Sequence, residues 1–159
     1  MTSSAASGYE LPLLLFGGFR AIIDELHAEL ARRGHPDMRP AHGFAMQAIG
    51  TGFGGATASE VGRRLGISKQ AAGKTIERLE EIGYVERAGD AADRRRKLTR
   101  LTPRGVAALR LSAEIFGDIR DRWARTLGAG RVEDLEASLR TMAPGELFRL
   151  DVPGWFGAS

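Results

Sequence analysis

Apolar residues recur at three- and four-residue steps along most of this chain. Leu11, Leu15, Phe19, Ile22, Leu26 and Leu30 form one such series and predict an amphipathic helix from about Glu10 to Arg33, broken by Gly34-His35-Pro36. Pro40 suits the first turn of a second helix through Ile49, with Phe44, Ala45, Ala48 and Ile49 as its buried side. Thr57 and Glu60 make a capping box ahead of Val61 and Leu65, and Gly66 can take the left-handed conformation that ends this helix. Only Ile67 separates it from Ser68, a second N-cap, which opens a helix through Ile82 closed by Gly83. Tyr84–Arg87 and Leu98–Leu101 read as strands joined by AGDAADRRRK. Thr102-Pro103 then starts a long helix whose stripe is Val106, Leu109, Ala113, Phe116, Trp123 and Leu127, stopped by Gly128. A last helix from about Arg131 to Met142 repeats the pattern with Val132, Leu135, Leu139 and Met142. The tail ELFRLDVPGWFGAS is proline-broken and too apolar to be left in water.

Two helices joined by so short a turn must cross steeply, which is helix-turn-helix geometry. Ala72, Ile76 and Leu79 share the face that packs on Val61 and Leu65, while the opposite face carries Lys69, Gln70, Gly73 and Lys74. Beyond it, Arg94 to Lys97 are four consecutive basic residues, tolerable where phosphates neutralise them, and Asp93 can hold one guanidinium in a bidentate pair. A solvated helix face and a solvated loop are the plain alternatives. Their juxtaposition favours DNA, with Gln70 able to read adenine and the lysines able to reach guanine edges or phosphates.

Charge distribution sharpens this. The 159 residues carry a net charge of only +3, yet residues 61–110 hold thirteen basic against six acidic side chains. The flanks are slightly acidic, with four basic against six acidic before and six against eight after. A basic centre on a near-neutral scaffold is the footprint of a nucleic-acid-binding lobe. Cysteine is absent, which excludes disulfides and thiolate metal sites and fits a reducing cytoplasm. The run LPLLLFGGF lacks a basic leader, and Arg20 interrupts it far short of the ~20 residues of a membrane span.

The stretch from Thr57 to Thr102 resembles the winged helix-turn-helix of the multiple-antibiotic-resistance regulator (MarR) family. The matching features are LGIS-x-x-A-A, RLEEIGYVER, the wing motif Asp93-Arg94-Arg95 and the LTPRG that closes the wing. Thr75 departs from the larger aliphatic residue usual there. The resemblance covers about residues 40–110 and implies a dimer paired through its terminal helices. It also implies that Arg95 enters the minor groove while Arg94 braces the wing against Glu77. Finally, it implies a small aromatic or phenolic effector bound where the terminal helices meet the DNA lobe. Phe16, Phe19, Phe44, Phe116 and Trp123 are candidate lining, although aromatic stripes at helical spacing are more often core; Arg20 or Arg120 could pair with an effector carboxylate.

Other signals are weaker. Gly50, Gly52 and Gly55 spell G-x-G-x-x-G, but a helix precedes them where a dinucleotide site needs a strand, so a turn with a short strand stub against the wing is the better reading. His27, His35 and His42, with Asp24 and Asp37, are irregularly spaced, and structural histidines are the better account than a metal site. No catalytic nucleophile, triad or carboxylate pair can be assembled.

The expected fold is mainly α with a small β-hairpin wing: residues 1–8 a disordered tail, 9–38 an N-terminal dimerisation helix and loop, 39–102 the winged lobe, 103–159 C-terminal dimerisation helices and tail. The expected function is a homodimeric cytoplasmic repressor on a pseudo-palindromic double-stranded operator, released by an effector and needing no cofactor. Its DNA contacts are Ser68, Lys69, Gln70, Gly73 and Lys74 in the recognition helix, and Asp93, Arg94, Arg95 and Arg96 in the wing. The effector pocket is Phe19, Arg20, Phe44, Phe116, Arg120 and Trp123. The alternative is a sequence-neutral architectural DNA-binding protein without effector control.

Overall fold

A computed structural model of the chain describes residues 8–50, 54–89, 92, 95 and 97–143. Its helices are α1 (Glu10–Arg32), α2 (Pro40–Ile49), α3 (Ala58–Leu65), α4 (Lys69–Glu81), α5 (Pro103–Leu127) and α6 (Ala129–Met142). Strands β1 (Val85–Gly89) and β2 (Lys97–Leu101) form an antiparallel hairpin in which Val85 faces Leu101 and Gly89 faces Lys97. Residues 1–7 and the apolar tail from 144 lie outside the described residues.

Local signals place the helix-turn-helix. The Glu60 amide donates to the Thr57 hydroxyl at 3.2 Å, and the Glu60 carboxylate accepts the Thr57 amide at 2.8 Å. Gly66 is left-handed at φ +69°, and the chain turns back so tightly that a Cβ on Gly62 would lie 2.8 Å from the Ile67 carbonyl oxygen. The Ser68 hydroxyl caps α4 by accepting the Ala71 amide at 3.0 Å. Ala72, Ile76 and Leu79 are then buried in one core with Val61 and Leu65.

Behind α4 the wing is anchored at its base. Tyr84 is fully buried, and its carbonyl accepts the Thr102 amide at 3.0 Å. The Thr102 hydroxyl donates to the Gly83 carbonyl at 2.7 Å and accepts the Gly105 amide at 3.2 Å, joining α5 to the hairpin. The glycine-rich turn delivers Ala56 to β2, where Ala56 and Thr99 exchange amide–carbonyl bonds of 2.9 and 2.8 Å. Here is the strand stub, and the element that precedes it is the helix α2, where a dinucleotide site needs a strand.

The stripes on the outer helices differ from the periodic reading. Ile23, Leu26 and Leu30 of α1 are buried, but Leu11, Leu13, Leu14, Leu15, Phe16 and Phe19 are exposed. Along α5 the buried line is Gly105, Ala108, Ser112, Ile115 and Ile119, one step round from the stripe of large residues; Ala113 and Leu127 face outward. The reason is steric: a Cβ on Gly105 would lie 2.2 Å from the Tyr84 carbonyl oxygen, so the helix approaches on its smallest side chains. In α6, which starts at Ala129 directly after Gly128, only Val132 is buried among the apolar set, while Leu135, Leu139 and Met142 are exposed.

These close approaches predict opposite effects for two similar changes. Gly105→Ala should cost about 1–3 kcal/mol or more by overpacking against Tyr84. Gly73→Ala, in mid-helix with nothing within 4 Å of its would-be Cβ, should stabilise by about 0.5–1 kcal/mol through helix propensity. Urea unfolding midpoints of the two variants without DNA check both signs.

Candidate nucleic-acid interface

An open cleft runs between the start of α4 and the hairpin. Lys69, Gln70 and Gly73 line it from α4, Arg63 from α3, and Arg87, Arg95 and Lys97 from the hairpin. Because the apolar side of α4 is fixed by Ala72, Ile76 and Leu79, the first turn must turn its polar side to this cleft. Gly73 leaves room for an approaching surface, since nothing lies within 4 Å of where its Cβ would be. The cleft also contains Glu60 and Glu77. Glu60 is held in the α3 cap, and at the rim Arg87 approaches Glu80 at 3.7 Å, tying the wing to α4.

Ser68 and Lys74 are exposed but do not line this cleft; Ser68 is the α4 cap and Lys74 points further round the helix. Arg95 is described and exposed. Asp93, Arg94 and Arg96 lie outside the described residues, and with them the expected brace from Arg94 to Glu77. Arg63 and Arg87 were not singled out by the sequence reading. The available signal was their place on the polar faces of elements whose apolar partners, Val61 and Val85, are buried.

The expected effector residues divide into two groups. Phe19, Phe44 and Phe116 line a cavity of about 300 Å³ enclosed by α1, α2 and α5. Arg20, Arg120 and Trp123 do not. Arg20 lies 3.7 Å from Asp24 on the surface, and Arg120 makes two hydrogen bonds to Glu136 of α6, at 2.7 and 3.1 Å. Trp123 is half-buried beside Gly18. The one-step rotation of α5 carries Arg120 to the α6 side, away from the cavity.

All three histidines sit where α1 and the following loop meet the lobe. His42 Nδ1 accepts the Arg39 amide at 3.1 Å, so that nitrogen carries no proton. His35 Nδ1 shares a 2.7 Å hydrogen bond with the Tyr84 hydroxyl, to which Arg104 also donates at 3.2 Å while its guanidinium lies 4.7 Å from the ring centre. His27 lines the cavity. Burial lowers the pKa of each, reinforced by Arg39 at His27, Arg104 at His35, and Arg39 then Arg78 at His42. No cluster of three or more metal-ligating side chains occurs among the described residues.

A steep helix pair whose second member shares a basic cleft with a β-hairpin defines a winged helix-turn-helix protein. Residues 37–96 match the sequence model of the MarR family. No curated protein sequence matches. Among solved structures, the reduced form of MarR from Escherichia coli is similar at TM-score 0.70 and 25% identity, over 84% of this chain and 96% of that one. FabT of Streptococcus pneumoniae, in complex with DNA, gives 0.71 and 19% over 83% and 92%. A mutant of E. coli MarR complexed with operator DNA gives 0.67 and 24% over 84% and 94%. Over residues 37–96 the chain is thus similar in sequence to the MarR family, and its fold is similar to those solved structures.

The histidine environments predict a pH dependence. Unfolded histidines take up protons as pH falls through about 6.5, while the folded ones resist protonation. The stabilisation is therefore complete above pH 6.5 and is lost as pH drops through the lowered folded values. Melting temperature should fall between pH 7.5 and 5, and His42→Gln should reduce that fall.

Proposed function

We propose that the chain is a homodimeric, sequence-specific DNA-binding transcription regulator acting in the cytoplasm, with its DNA affinity set by a small effector. The cleft between α4 and the hairpin carries this reading: five basic side chains and Gln70 line a surface whose helix presents its first turn outward. A second helix in this position places its N-terminal residues at base edges in the major groove, with the wing at the adjacent minor groove. Gln70 reads a base edge; Arg95 senses groove width and phosphate charge. Two relatives of the same fold were captured with DNA.

Uncovered apolar surface supports the dimer. Leu11, Leu13 and Leu14 are 68, 65 and 65% exposed, and Leu135, Leu139 and Met142 extend the apolar exposure onto α6. Exposed apolar side chains in such number mark an interaction site, and a second copy suits helices drawn from both ends of one chain. Effector control rests on the α1–α2–α5 cavity, which joins the outer helices to the lobe; occupancy shifts DNA affinity only if the two states bind the effector unequally.

Binding to DNA flanking the gene and to scrambled DNA, at two salt concentrations, tests the reading. Gln70→Ala should cost about 1–3 kcal/mol per half-site on the specific site and little on scrambled DNA. Arg95→Ala should weaken both and lower the salt slope by about one per wing. Equal affinity for both DNAs would instead indicate a sequence-neutral architectural protein. For assembly, Leu11→Glu with Leu15→Glu should shift the sedimenting mass from twice the 17.2 kDa of one chain towards 17.2 kDa; an unchanged mass would remove α1 from the interface.

A further inference from the structure

We infer that His35 is a positioning residue for DNA binding: its neutral imidazole accepts the Tyr84 hydroxyl proton, and protonation of the ring in acid releases the base of the hairpin from the end of α1. This rests on the regulator reading and names a control on that same interface.

Hydrogen placement carries the inference. Arg104 donates to the Tyr84 oxygen at 3.2 Å, and a guanidinium has no acceptor to offer in return. The Tyr84 hydroxyl proton is therefore directed at His35 Nδ1, 2.7 Å away, which is then the bare nitrogen of a neutral ring. A protonated His35 presents an N–H there instead. Two donors then meet one hydroxyl oxygen whose own proton has no place between them, and a second cation stands beside Arg104. Arg104 is kept in place by the Tyr84 ring, whose centre lies 4.7 Å from the guanidinium carbon, and by Asp37 at 3.8 Å. The charged and titratable groups facing His35 are thus Arg104 from α5, Tyr84 at the entry to β1 and Asp37 of its own loop. Burial, then Arg104, disfavour the charged ring, and Asp37 opposes them.

Position makes this bond consequential. His35 closes α1, its amide donating to the Leu30 carbonyl at 2.8 Å. Tyr84 stands between α4 and β1, its amide on the Leu79 carbonyl. One side-chain bond therefore connects the helix that carries the exposed leucines with the junction from which α4 and the hairpin diverge. Leu26 and Leu30 also hold α1 to the core, but apolar contacts have no direction, whereas a hydrogen bond does. In a dimer paired through α1, the bond sets how each lobe stands on the shared helices, and so the spacing of two α4 helices on one duplex.

Affinities of the full-length protein for DNA flanking the gene and for scrambled DNA, at pH 7.5 and pH 5 in fixed salt, test this, with circular dichroism confirming the fold. Added protons alone raise positive charge and tighten binding to any polyanion. Here the specific-to-scrambled ratio should instead fall on the order of tenfold in acid, the worth of one hydrogen bond. The ratio is full above the ordinary histidine value of 6.5 and is lost as pH falls through the lowered value of His35. Tyr84→Phe should show the acid ratio at both pH values. His35→Asn, whose amide oxygen can stand where Nδ1 stood and takes up no proton, should keep the high ratio at both. A folded Tyr84→Phe with the wild-type profile, or His35→Asn that still loses its preference in acid, would overturn the inference. NMR titration of the His35 ring without DNA is the second readout. Its midpoint should rise in Tyr84→Phe, because the bond favours the neutral ring, and an unmoved midpoint would also overturn the inference. Equal binding of both DNAs by the wild-type protein at pH 7.5 would sink the regulator reading instead, and the titration would still decide whether the link exists.

Discussion

Tyr84 ties together parts of the molecule that are distant in sequence. Its amide donates to the Leu79 carbonyl at the exit of α4, and its carbonyl accepts Thr102 at the entry to α5. Its hydroxyl is shared by His35 from the α1–α2 loop and Arg104 from the first turn of α5. The side chain is fully buried, while its hydroxyl meets His35 and Arg104 at a part-buried edge. Gly105 follows from this arrangement: with the Tyr84 carbonyl fixed, only a residue without Cβ can sit beneath it. Together with the Arg87–Glu80 pair, Tyr84 orients the hairpin relative to α4 and so the mouth of the basic cleft.

The cleft and the cavity make contrasting demands on their linings. Cationic side chains on the cleft remain exposed and hydrated until a polyanion arrives, so they cost the free protein little. The cavity carries no charge, and its polar groups are few. The two linings differ in kind: charged and open at the cleft, uncharged at the cavity.

Local chemistry was legible in the sequence wherever one or two residues decide a geometry. The Thr57–Glu60 box, Gly66, Ser68 and Thr102-Pro103 each fixed an element end within about a residue. The polar face of α4 could be read because its buried face was unambiguous. The rotation of α5 was not legible, because Gly105, Ala108 and Ser112 count for little in a hydrophobic pattern yet allow the closest approach. That rotation separated Arg120 from the aromatic residues it was expected to accompany. His27 was weighed as a structural histidine against a metal ligand; its place on the cavity depends on how α1 lies over α2 and α5, which spacing along one helix cannot reveal.

Helix α1 has a mechanical consequence. Its last turns are gripped by the lobe through Ile23, Leu26 and Leu30, while the segment around Leu11 reaches beyond. At 1.5 Å per residue, Leu11 stands about 18 Å from Ile23, a stiff lever arm. A tilt of about ten degrees at the gripped end moves the far end by about 3 Å, roughly the length of a hydrogen bond. His27 and the cavity sit at the fulcrum, where the smallest displacement has the largest reach.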